Sequence, residues 1–364
     1  METQSTAWGG DSSTAASASF VPATPKRPAR RACFWYQSLG AARAEGSCRY
    51  RIGHLVEQLT GANAVVAEKL PLRSLLHVKT LSVLRPLLTP LLARQLHALR
   101  RRQVHLVADY DDLLFAGEAS GLPPSVSSER LVGYSAALSA FDRFTVSTHA
   151  LARWLRRLEP RAKVSVVHNG LSDSWVRQGS ALYPAWRPGD DLVVRYLVGS
   201  PSHDRDFQSI SAPLSQFLRD HPQARLEVVG PIVIDPSAFP AGRVRALPKL
   251  PYAELPRLLA SSWVNLAPLE ATDFNECRSA IKFLEAAAFG CPTLASPNDD
   301  HLRHEALGAP LLVCRTPSDW YESLRGFLSH ERRMAASGAC RRYVRQHGLA
   351  LHSADAWLAA WGKQ

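Results

Sequence analysis

Lys282 and Glu285 stand three residues apart in the run Ser279-Ala280-Ile281-Lys282-Phe283-Leu284-Glu285-Ala286-Ala287-Ala288-Phe289-Gly290, a spacing that sets both on one face of a helix. An ammonium beside the N–H groups of a first helical turn makes an anion site, and a carboxylate one turn further on accepts hydrogen bonds from hydroxyls. Together they suit a ligand that carries both phosphate and sugar. The same spacing equally describes a solvated ion pair on an ordinary helix, which is worth little. Ser279 is the expected N-cap, Gly290 the expected left-handed residue after the helix, and Pro292 follows it.

A second such turn lies upstream. The strand-like run Leu192 to Val198 ends at Gly199-Ser200 and feeds a helical pattern through Phe207, Ile210, Leu214, Phe217 and Leu218. A strand, a glycine turn and a helix N-terminus form the phosphate-facing geometry of nucleotide domains. A third candidate edge follows Val104-His105-Leu106-Val107-Ala108, a buried-type strand that runs into Asp109-Tyr110-Asp111-Asp112. Carboxylates at the end of a parallel strand sit where open α/β sheets bind ligands, and they serve equally well as caps of the next segment. A fourth is the loop and helix start Ser47-Cys48-Arg49-Tyr50-Arg51, after the first strand at Ala32 to Tyr36.

The stretch FNECRSAIKFLEAAAFGCPTLAS, preceded by strand-like WVNLAPLE, resembles the donor-binding segment of the GT-B glycosyltransferases. It is most similar to the large retaining family 4 group (glycosyl transferases group 1) of bacterial polysaccharide synthesis. The resemblance implies that Glu285 binds the ribose of a nucleotide sugar. In that family a carboxylate eight residues earlier contacts the sugar, and here Cys277 holds that position. The contact then falls to Glu276, Asn275 or loop amides, with Arg278 and Ser279 beside them. The family also carries an arginine just after the glycine of the upstream turn and a lysine five further on, which neutralise the leaving diphosphate. Here those positions are Ser200 and Arg205, so Arg205 and Lys282 are the expected catalytic cations, with His203 as helper and Ser200 on the donor. On the other half the resemblance makes Arg49, Asp109, Asp111 and Asn169 acceptor contacts, Asn169 through the turn His168-Asn169-Gly170. GT-B transferases do not need the metal-binding carboxylate motif of their GT-A counterparts, so no metal and no cofactor is expected; the nucleotide sugar is a substrate.

The elements that must position these residues alternate strand and helix, which implies an α/β fold with parallel sheets. With 364 residues there is room for two ordinary domains. The expected organisation is a disordered tail over 1–30, a Rossmann-like acceptor domain over 31–180 and a linker over 181–191. A Rossmann-like nucleotide-sugar domain over 192–345 and a last helix over 346–364, returning toward the first domain, complete it. Residues 70–102 read as one long, leucine-rich, basic helical region interrupted by Pro86 and Pro90. It is too broken to span a membrane; packing in the core across the sheet is the plainer account, and a membrane interface the alternative.

The net charge of +11 calls for an anionic partner. No basic face interleaved with aromatics marks nucleic acid, leaving phosphate-bearing substrates and an anionic membrane surface. Six cysteines without metal-ligand spacing fit reduced thiols. With no signal-like apolar run, the expected location is cytoplasmic, peripheral at the inner face of the plasma membrane. The reading is thus a metal-independent retaining glycosyltransferase that uses a nucleotide sugar and a saccharide or lipid-linked acceptor. A non-catalytic nucleotide-sugar binder and an epimerase or hydrolase of the same fold are the alternatives.

Overall fold

The computed structural model describes residues 31–36, 46–58, 64–67, 78–117, 121, 127–182, 186–200 and 203–360. The expectations for the tail 1–30, the Gly40 loop, residues 70–77, the linker centre 183–185, the Pro201-Ser202 helix entry and residues 361–364 lie outside them.

The first half contains β1 (Arg31–Tyr36), β2 (Ala64–Ala67), β3 (Val78–Leu84), β4 (His105–Tyr110), β5 (Arg143–Val146) and β6 (Lys163–Val166). They form one parallel sheet in the order β2-β1-β3-β4-β5-β6. Its helices are α1 (Gly46–Cys48), α2 (His54–Gln58), α3 (Pro90–Arg100), α4 (Ser128–Leu138), α5 (His149–Leu158) and α6 (Asp173–Ala181). A π-helical turn over Arg49–Gly53 joins α1 to α2.

The second half repeats the plan with β7 (Leu192–Leu197), β8 (Ala224–Val229), β9 (Val244–Leu247), β10 (Val264–Ala267), β11 (Thr293–Ala295) and β12 (Leu311–Val313), in the order β12-β11-β10-β7-β8-β9. Its helices are α7 (Asp204–Asp220), α8 (Leu255–Ala260), α9 (Asp273–Glu276), α10 (Ile281–Ala288), α11 (Asp299–Ala306), α12 (Pro317–Gly326), α13 (His330–His347) and α14 (Ala354–Ala360). Each sheet has a switch point where strand order reverses, β1/β3 in the first and β7/β10 in the second. Open α/β sheets bind ligands beyond the carboxyl ends of such strands.

The long helix expected up to Arg102 is corrected. Val78–Leu84 is a strand at the centre of the first sheet, and only Pro90–Arg100 is helical. The apolar run reads as a helix because leucine fits either state. The β-branched Val78, Thr80 and Val83 favour the pleated strand, and two prolines separate it from α3, whose first residue is Pro90. Leu81, Val83 and Leu84 are buried, which removes them from any membrane-facing surface.

Local signals set the other helices. Thr148 caps α5 by accepting from Leu151 N, and Asn298 caps α11 by accepting from His301 N. Helix α10 ends at Gly290, whose φ of +72° lies in the left-handed region. The expected Ser279 cap is not formed. The residue before α10 is Ala280, whose N–H donates to Asp300 Oδ2 (2.8 Å), while Ser279 Oγ accepts from Asn169.

Cross-contacts join the halves. Helix α6 packs on the second half through Trp175 and Val176, and Gly179 lies so close to the Ala288 carbonyl that an added Cβ would stand 2.1 Å from its oxygen. Phe274 and Cys277 insert into the first core beside Leu113 and Leu151. Helix α14 returns to the first sheet, where Trp357 joins Ile52, Leu55 and Val167 in a buried cluster.

Candidate functional site

The carboxyl edge of the second sheet gathers the cations. Helix α10 carries Lys282 in its first turn, and the Lys282 ammonium is buried without a hydrogen-bond partner among the described residues, 5.2 Å from the centre of the Tyr196 ring. Burial and then the neighbouring Arg278 pull its pKa down to about 8. Arg278 stands 5.2 Å over Phe274 and donates to the His203 ring, at 3.0 Å from Nε2. His203 Nδ1 in turn lies 2.7 Å from Asp206 Oδ2. Burial, Lys282 and Arg278 hold His203 down near 3, so at neutral pH it is an uncharged relay that accepts from Arg278 and donates to Asp206. Asp206 also takes the Glu270 N–H (2.8 Å) and Asn275 Nδ2 (2.9 Å), which fixes the loop after β10 to the start of α7.

Glu285, one turn beyond Lys282, is buried and accepts a short hydrogen bond from the Tyr50 hydroxyl across the cleft. Burial raises its carboxyl to about 7 against the pull of Tyr50, Arg49 and Lys282. Lys282 and Glu285 therefore do share a face, but it is an interior face and not the solvated one of the plain alternative.

The expected partner cation is displaced. Arg205 is exposed on α7, and the arginine the structure sets beside Lys282 is Arg278. Helix α7 begins at Asp204, so Arg205 falls on its outer face while Asp206 and Phe207 turn inward. Ser200 lies in the turn after β7, where Lys249 Nζ reaches the Gly199 carbonyl (2.9 Å). Cys277 is fully buried, its thiol pushed well above the ordinary range by burial, and its carbonyl accepts from Thr148 Oγ1 (3.0 Å). It is a packing residue of the interdomain contact and does not face the cations. Glu276 faces α5 instead, with Arg153 at 3.9 Å. A cavity beside it is lined by Glu270, Thr272, Asp273, Asn275, Glu276 and Asn298 among others.

The first sheet's carboxyl edge is closed on itself. Asp109 is buried and held by Arg51 Nε (2.9 Å) and Nη2 (2.6 Å) and by Thr145 Oγ1 (2.7 Å). Asp111 and Asp112 both accept from Arg85, Asp111 Oδ1 at 2.6 Å. Arg85 has φ +51°, an unusual conformation for a non-glycine residue. Neither Asp109 nor Asp111 is thus an open acceptor clamp. Asn169 bridges the halves, accepting from Arg51 Nη1 (3.0 Å) and donating to Ser279 Oγ (2.8 Å). Arg49 lies over the Tyr252 ring at 3.3 Å. Among the described residues no group of three or more His, Cys, Asp and Glu could hold a metal ion, and no helix is long and apolar enough to cross a membrane.

Sequence reasoning assigned no role to Asp206 or Asp300, and placed Tyr50 in a candidate loop without a partner. Asp206 had a signal, a carboxylate in the first turn of the helix after the glycine turn; Tyr50 and Asp300 act across sequence distances that no local pattern reports.

Residues 208–361 match the glycosyl transferase-like family model. No curated protein sequence matches the chain. Among solved structures, Anabaena HepE in complex with UDP and glucose superposes with a TM-score of 0.63 at 12% identity, over 92% of this chain and 100% of that one. Sucrose-phosphate synthase from Thermosynechococcus elongatus gives 0.62 at 15% identity, over 92% and 100%. A glycosyltransferase from Rickettsia africae gives 0.61 at 9% identity, over 91% and 98%. Likeness at such identities speaks to the fold. Two parallel sheets of six strands and these superpositions agree that the chain has the GT-B architecture, and residues 208–361 of its C-terminal half are similar to the glycosyl transferase-like family.

Proposed function

We propose that the protein is a glycosyltransferase that takes a sugar from a uridine diphosphate sugar and passes it to a saccharide or lipid-linked acceptor, with retention and without a metal ion. The observation that carries this reading is the buried ammonium of Lys282 at the start of α10, without a hydrogen-bond partner among the described residues and with Arg278 beside it. A buried charge is costly unless something compensates it; Asp206 and Glu285 offset burial and Arg278 only in part, and a diphosphate supplies the further negative charge. In the transition state the leaving diphosphate gains charge. Lys282, Arg278 and the amides of the first turn of α10 are placed in advance to meet it, the arrangement that lowers barriers most. Glu285 holds the ribose. Asp109, Asp111 and Asp112 are each bound by an arginine, which favours attack by the acceptor on the leaving-group face over a carboxylate nucleophile. UDP and glucose occupy the HepE structure, which supports the choice of uridine.

One observation favours a second reading, nucleotide-sugar binding without transfer: Cys277 packs into the first core where the resembling enzymes place a sugar-contacting carboxylate. Calorimetry with UDP, followed by release of UDP from UDP-glucose with and without saccharide acceptors, separates the two. Binding and acceptor-dependent release are expected, both lost in Lys282→Met. Binding without release under any acceptor supports the second reading, and folded protein that binds no nucleoside diphosphate overturns both.

A further inference from the structure

We propose that Tyr50 competes with the donor for Glu285, so that the ribose must displace a tyrosine hydroxyl to enter. The inference rests on the donor reading above and adds a residue of the opposite half to it. Glu285 is buried in α10, and a carboxylate there needs a hydrogen-bond donor whether or not a nucleotide is bound. Its Oε1 takes the Tyr50 hydroxyl. A ribose diol offers the same O–H chemistry to the same oxygen, so the two partners exclude each other there.

The fold presents Tyr50 for this purpose. Arg51 turns inward to Asp109, while its neighbour Tyr50 reaches across to Glu285. Both lie in the π-helical turn, a feature that redirects side chains and is frequent at functional sites. Neighbouring contacts hold the segment against the second half. Arg49 lies 3.3 Å over Tyr252, which stacks on Trp175 at 4.5 Å, and the His54 ring packs edge-on against Tyr50 at 5.3 Å. These ring contacts do not involve the Tyr50 hydroxyl; the hydroxyl also hydrogen-bonds the Tyr252 side chain, and a phenylalanine keeps the ring contacts while losing only that bond and the one to Glu285. Tyr50 then acts as an occupant of the empty site: it satisfies Glu285 between turnovers and sets a threshold that only ligands with a ribose diol cross by replacing its bond.

Tyr50→Phe deletes the competing hydroxyl and keeps the ring. It is expected to bind UDP about five- to tenfold more tightly than the wild type, the scale of one net hydrogen bond. The gain should vanish with 2′,3′-dideoxyuridine diphosphate, which lacks both ribose hydroxyls. Calorimetry on the full chain, with Glu285→Gln as comparison and thermal unfolding to show each variant folded, decides it. Unchanged or weaker UDP binding by Tyr50→Phe overturns the inference, and if Glu285→Gln still weakens UDP the donor reading survives. Equal gains with UDP and the dideoxy nucleotide also overturn it, because the effect is then steric and not through Glu285. If Glu285→Gln leaves UDP binding unchanged, the ribose assignment itself falls and the inference falls with it.

Discussion

The two halves share a plan of six parallel strands with a switch point at the carboxyl edge, yet they treat charge in opposite ways. At the first edge every named carboxylate has an arginine: Arg51 on Asp109, and Arg85 on Asp111 and Asp112. At the second edge Lys282 has no hydrogen-bond partner among the described residues, and burial with the repulsion of Arg278 outweighs the attraction of Asp206 and Glu285. The first edge is therefore neutralised by its own arginines, and the second keeps an ammonium that, among the described residues, no hydrogen bond satisfies. Neutralised edges give rigidity and shape; an unbalanced one stores a cost that a ligand relieves.

Substitutions at the two edges should thus separate stability from binding. The largest effect is expected for Arg51→Met. It leaves Asp109 buried without its partner, and it also removes bonds to the Val167 carbonyl and Asn169, so urea unfolding should show a loss of about 3–5 kcal/mol. Lys282→Met should do the reverse, leaving stability unchanged or raised by about 1 kcal/mol while UDP affinity falls roughly thirtyfold or more. Equal destabilisation by both would break the contrast between the halves.

A titration sharpens it. The Lys282 pKa is lowered to about 8 from 10.5, so the folded protein holds this proton less tightly than the unfolded chain. Below about pH 8 the ammonium is charged in both states and its burial weighs fully against folding. Between about 8 and 10.5 only the unfolded chain keeps the proton, so this contribution to stability rises with pH. Donor binding runs the other way, because the diphosphate prefers the ammonium. UDP affinity should fall above about pH 8, approaching tenfold per pH unit, and this slope should be absent in Lys282→Met. A flat profile in the wild type would remove Lys282 from the anion site.

The smallest effect is expected at Arg205, exposed on α7. Arg205→Ala should change UDP affinity less than about twofold, within the range of a solvated charge. Arg278→Ala should weaken it at least tenfold. The opposite order would restore Arg205 to the role its spacing suggested and remove Arg278.

Much of this was legible along the chain because it depends on neighbours in sequence. Alternation of strand and helix gave the α/β class, the Lys282 and Glu285 spacing put them on one face, and Gly290 marked the end of α10, all through local backbone geometry. Leucine-rich 78–84 was misread for the same reason, since periodicity does not separate a central strand from a buried helix. What sequence could not supply was which charges meet. Whether Asp109 and Asp111 stay open depends on Arg51 and Arg85, 58 and 26 residues away; whether Glu285 is empty depends on Tyr50, 235 residues away. Those pairings arise only when two sheets close against each other. The sequence by itself determined the elements and the kinds of group they carry, and the tertiary structure decided which groups are neutralised, because burial and the Coulomb energy of a pair depend on distance in space and not along the chain.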